Sequence, residues 1–130
     1  MFILLRTHVD IILENQLSNL EGVLATQAVF ADLLTMEIVA FPQQGMLGKP
    51  GTAELMEEVV KMGADLVGGI DPSTIERNPS EHINTIFAIA DRQGVGVDIH
   101  LHEPGELGAF AVELIAERTK ALGMGGTGSN

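Results

Sequence analysis

The groups able to hold a metal or move a proton are concentrated in one stretch, VGVDIHLHEPGELG over Val95–Gly108. It holds two of the chain's four histidines, two glutamates and an aspartate. On a strand, His100 and His102 would share a face with Cα atoms about 6.5–7 Å apart, a spacing that lets two imidazoles converge on one divalent ion. The same spacing fits two partly buried histidines satisfied by backbone carbonyls. Glu103, just beyond, is placed to carry a proton beside such a metal, or to be a solvated loop carboxylate. Gln43 offers a donor pair and an acceptor that match the amide-like edge of a heterocycle, although loop glutamines mostly bind water. His8 reads as a satisfied strand-end residue, His82 as a solvated first-turn residue and Asp71, before Pro72, as a turn former. The chain has no cysteine, so histidine and carboxylate must carry any metal chemistry.

Seven basic residues against eighteen acidic ones leave a formal charge of -11 over 130 residues. That balance repels phosphate backbones and anionic headgroups, so nucleic acid and membrane surfaces are not expected partners. No apolar run approaches the ~20 residues of a membrane span, and Met1 does not begin a charged-then-apolar leader. A cytoplasmic protein is expected. The length suits one domain, able to bury roughly 65–70% of the surface its unfolded chain exposes.

The elements that must position these groups alternate regularly. Phe2–Val9 is an apolar run that turns polar at Arg6, Thr7 and His8, as a strand buried on both faces would. Ser18 and Glu21 have the spacing of a capping box, and Leu20, Val23, Leu24 and Ala28 follow on one helical face. Thr35–Phe41 reads as a second strand, with a loop from Pro42 to Gly51. A helix follows from Thr52 on Leu55, Met56, Val59 and Val60, closed at Gly63. Leu66–Ile70 is the third strand, in which Gly68 and Gly69 signal close backbone approach or a bulge. Asn78, Pro79 and Glu81 open a third helix with Ile83, Ile86, Phe87 and Ala90 inward, ending at Gly94. Val95–Leu101 is the fourth strand. The fourth helix runs from about Ala109 to Leu122 with Phe110, Leu114 and Ile115 inward. Met36, Met56 and Met62 read as core filler. Residues 1–122 form one domain and 123–130 a flexible glycine-rich tail.

The strand centres recur every thirty or so residues, the length of a βα unit, which predicts an α/β fold with a parallel sheet and right-handed crossovers. The open alternative is a single sheet with helices on both faces. The strand ends collect His8 and Asp10, Gln43, Asp71, and then His100, His102 and Glu103, the edge at which parallel α/β folds bind ligands.

In that order, RTHVD, IVAFPQQG, ADLVGGIDP and VDIHLHEPGELG resemble the middle of cytosine-deaminase-like members of the amidohydrolase superfamily, a branch that includes hydrolases of aminated triazines. The resemblance runs from about Leu5 to Gly123. It implies strands two to five of a (β/α)8 TIM barrel, in which a divalent iron or zinc ion activates water for hydrolytic deamination of a small heterocycle. His100 then matches the fifth-strand metal ligand, Glu103 the glutamate that moves the proton, and Gln43 the glutamine on the pyrimidine edge. His102 has no ligand role in that pattern. The family takes two metal-binding histidines from its first strand, one from its sixth and an aspartate from its eighth, none of which has a counterpart here. Half a barrel also leaves two parallel edges, so a homodimer closing eight strands is expected. Two functional readings stand: a fragment or descendant of a metal-dependent amidohydrolase, or an inactive half-barrel serving as an oligomeric scaffold or small-ligand binder.

Overall fold

The computed structural model describes residues 3–15 and 17–124, so the tail expected over 123–130 lies largely outside the described residues. Four strands, β1 (Leu4–Asp10), β2 (Thr35–Phe41), β3 (Leu66–Ile70) and β4 (Gly96–His100), alternate with α1 (Ser18–Val29), α2 (Thr52–Lys61), α3 (Pro79–Gln93) and α4 (Gly105–Ala121). All pairings are parallel and the sheet order is β1-β2-β3-β4. Crossovers of one hand between strands in sequential order put every helix on the same side, because only a reversal of order moves a helix to the other face. This is four consecutive βα units of a TIM barrel rather than an open sheet covered on both sides.

The helix-facing side carries the core. Ile38, Ala40, Val67 and Val97 from the sheet meet Leu20, Met56, Val59, Ile83, Ile86 and Phe87 from the helices, all buried. The register sends the alternate residues to the other, concave side: Arg6 and His8 lie beside Glu37 and Val39, and Gly68 and Ile70 lie beside Asp98 and His100. The two strand glycines serve opposite faces. A Cβ at Gly68 would stand 2.9 Å from both the Ala40 carbonyl oxygen and Phe41 Cδ1, and one at Gly69 would collide with Ile86 Cδ1. Close approach is therefore their reason, and no bulge is needed.

Helix α3 is capped as expected, with the Asn78 side chain accepting from the Glu81 N–H, Pro79 in the first turn and Gly94 left-handed at φ 69°. Other expectations need correction. The Ser18–Glu21 capping box does not form: Leu17 is the N-cap, the Glu21 N–H bonds to its carbonyl, and Ser18 Oγ donates to the Asn15 carbonyl. A turn over 12–15 has already spent the serine. Strand β1 begins at Leu4 rather than Phe2, which is not among the described residues, and β4 stops at His100, before Leu101. Helix α4 starts four residues early, at Gly105. Leu114 and Ile115 pack on the core, but Phe110 is 48% exposed, and Ala28 and Met62 are exposed too. No helix among the described residues is long and apolar enough to cross a membrane.

Candidate functional site

The concave face is where the sequence's chemistry collects. The sheet curls enough that the inward side chains of its two outer strands meet across β2 and β3, while the missing side chain at Gly68 leaves room for the Phe41 ring. The His8 and His100 rings lie 4.4 Å apart, and Phe41, itself buried, touches both with centroids at 5.2 and 4.8 Å. One layer deeper, Arg6 Nη1 donates to Asp98 Oδ2 at 3.0 Å, while its Nε and Nη2 reach Glu37 Oε1 at 3.3 and 3.2 Å.

His8 is not the satisfied residue expected from the sequence. Its Nε2 is buried without a hydrogen-bond partner, and the nearest anion, Asp98 Oδ2, is 3.8 Å away, beyond bonding range. Burial, and then the neighbouring His100 imidazole, push the His8 pKa below its ordinary value, which favours the neutral ring. A neutral imidazole is the form that ligates metal. His8, Asp98 and His100 each present one donor atom, and the three donors lie within 4.8 Å of one another. The mix of two nitrogens and one carboxylate oxygen fits a divalent iron or zinc ion.

His102 does not join this group. It lies past the end of β4, its ring 6.2 Å from that of His100 and perpendicular to it, and its side chain is 69% exposed. Its backbone N–H and Nδ1 both bond to the Asp71 carboxylate, at 2.6 and 2.9 Å. Burial alone would raise the Asp71 pKa; those two bonds more than offset it and hold the carboxyl below its ordinary value. Asp71 is thus more than a turn former. At φ 30° it ties the end of β4 to the loop after β3.

Glu103 is 7% exposed rather than solvated. Its Oε2 accepts from the Ser73 N–H, the Thr74 N–H and Thr74 Oγ1 at 2.9, 2.6 and 2.9 Å, while Oε1 is buried and unpartnered. One oxygen fixes the side chain and the other is left without a partner. Gln43 is exposed in the loop after β2, its N–H bonded to the Phe41 carbonyl.

That loop is held from behind by residues whose roles the sequence did not reveal. The Glu76 carboxylate accepts from the Met46 and Leu47 N–H groups and from His82 Nδ1. His82, expected in solvent, is fully buried, and its Nε2 accepts from the Ile70 N–H at 3.2 Å. That bond places the ring proton on Nδ1, facing Glu76. Burial would raise the Glu76 pKa, but the His82 ring and the two backbone donors hold it below the usual carboxylate value.

No family model matches the chain. It is 33% identical over 121 residues to N-isopropylammelide isopropyl amidohydrolase of Pseudomonas sp. (strain ADP), covering 93% of this chain and 30% of that protein. It is 38% identical over 112 residues to the uncharacterized protein YahJ of Escherichia coli K12, covering 86% of this chain and 24% of that one. Among solved structures, N-isopropylammelide isopropylaminohydrolase from Burkholderia multivorans superposes with a TM-score of 0.91 at 45% identity, over 93% of this chain and 31% of the other. The 5-methylcytosine deaminase of Klebsiella pneumoniae liganded with phosphonocytosine gives 0.81 at 37% identity, over 92% and 29%. The chain is an amidohydrolase-like partial barrel. It spans 24–31% of the length of these relatives.

Proposed function

We propose that this chain supplies one wall of the active site of a metal-dependent amidohydrolase that removes an exocyclic amine from a small aromatic heterocycle by hydrolysis. The observation that carries the reading is the placement of His100 and Glu103 at the mouth of the parallel strands, with one oxygen of Glu103 fixed and the other unpartnered. Similarity to enzymes named for an N-isopropylammelide and for 5-methylcytosine supports an amine-bearing ring as substrate. A divalent metal, when bound, would supply a hydroxide at neutral pH. His100 would hold it. The free Oε1 of Glu103 would take the proton from water and deliver it toward the ring nitrogen and the departing amine, with Oε2 kept in place by Ser73 and Thr74. Gln43 would hold the heterocycle edge through its amide.

The test is a chimera of the Burkholderia multivorans enzyme in which this chain replaces the matching segment. Amine release at a rate within about tenfold of the parent, abolished by Glu103→Gln, is expected. A folded, metal-loaded chimera without turnover would overturn the assignment.

A second reading is favoured by the exposed edge of β1, where Leu4 and Leu5 are 56% and 45% exposed beside Ile3. Unpaired apolar edges promote association, and a homodimer of cytoplasmic half-barrels that binds a small ligand without catalysis would account for them. Light scattering that gives a monomer, or turnover by the chain itself with added iron or zinc, would remove it.

A further inference from the structure

The family pattern leaves His100 as a lone ligand in this chain, yet the concave face surrounds it with a donor set that needs nothing from outside. His8 comes from one edge strand, Asp98 and His100 from the other, and the three donor atoms already lie within 4.8 Å of one another. A four-coordinate ion with ligand bonds of about 2.0–2.2 Å puts its donors roughly 3.3–3.6 Å apart. The set must therefore close by about an ångström, which side-chain torsions can supply without moving a strand. His8 Nε2 is buried and unpartnered, a condition that costs free energy until something satisfies it. Asp98 is meanwhile oriented by Arg6, as a metal-binding carboxylate is commonly oriented by an outer partner. Arg6, Glu37 and Asp98 together carry one net negative charge, so the face attracts a cation although it contains a guanidinium.

We propose that His8, Asp98 and His100 form a divalent-metal site complete within this chain, taking zinc or another borderline cation with water as a further ligand. The site stands on its own geometry, uses two residues to which the family pattern gives no ligand role, and does not depend on the deaminase reading.

The test uses the untagged chain, stripped with chelator and titrated with Zn(II) by calorimetry and by competition with a chromogenic chelator. Co(II) absorption reports the coordination number. One metal per chain and a tetrahedral cobalt spectrum are expected. His8→Ala and Asp98→Asn should each weaken binding at least about tenfold, and His102→Ala should leave it unchanged. Circular dichroism verifies the fold, and His8→Gln replaces His8→Ala if the smaller side chain unfolds the sheet. Absence of stoichiometric binding, binding by a folded His8 variant equal to that of the parent, or loss of binding in His102→Ala would overturn the site. None of these readouts involves turnover, so its failure is separable from failure of the chimera.

Discussion

Glu76→Gln isolates one buried polar network. In the native chain the carboxylate side chain is 2% exposed and accepts from Met46, Leu47 and His82, while His82 accepts from Ile70. Glutamine keeps the shape but has one acceptor oxygen and one NH2. If the oxygen stays toward Met46 and Leu47, the NH2 faces the Nδ1–H of His82, donor against donor. If the amide flips, the oxygen facing His82 still serves Met46, but the Leu47 N–H loses its acceptor and meets the NH2 instead. Moving the ring proton to Nε2 does not help, since that atom would then oppose the Ile70 N–H. Losing hydrogen bonds to a charged acceptor, with one buried donor left unsatisfied, costs about 1.5–3 kcal/mol, a sizeable share of the stability of a domain this size. The dependence on pH has a definite sign. The folded-state pKa of Glu76 lies below its ordinary 4.5, so the stabilisation is full above that value and is lost as the pH falls through the folded-state pKa. Urea unfolding of parent and variant at pH 7 should differ by about 1.5–3 kcal/mol, and the gap should shrink when the measurement is repeated in acid. A difference below about 1 kcal/mol, the size of an ordinary neutral hydrogen bond, or one unchanged in acid, would refute the network.

Asn78→Ala should cost about 1 kcal/mol in urea unfolding through the lost cap on α3, whereas Ser18→Ala, whose hydroxyl caps nothing, should cost under about 0.5 kcal/mol. Gly69→Ala should destabilise by about 1–3 kcal/mol, because its Cβ would collide with Ile86 and stand 3.1 Å from His82 Nε2. Arg92 and then Gln93 hold the Glu57 pKa down to about 2, yet the pair is on the surface. NMR titration should find the shift, while Arg92→Met costs less than about 1 kcal/mol by urea unfolding.

Local signals were legible in the sequence and contacts between distant segments were not. Strands β2 and β3, the Asn78 cap and the Gly94 stop depend on a few adjacent residues, and they lie where apolar runs and capping chemistry put them. The fate of His82 depends on Glu76, which reaches it from the loop before α3, and no periodicity announces that. Phe110 sits on an apolar stripe, but a stripe says only which side of a helix seeks a partner, not whether one is present among the described residues. The meeting of His8 with His100 skips two intervening strands. Its one sequence signal is Asp98, two residues before His100 on the same face.

Gly68 has a consequence beyond steric room. The Phe41 ring it makes room for touches the rings of both outer strands, and the spacing between His8 and His100 follows how tightly the sheet is rolled. A load that flattened the sheet would draw those two imidazoles apart. Their nitrogen resonances thus serve as a built-in strain gauge for the half-barrel.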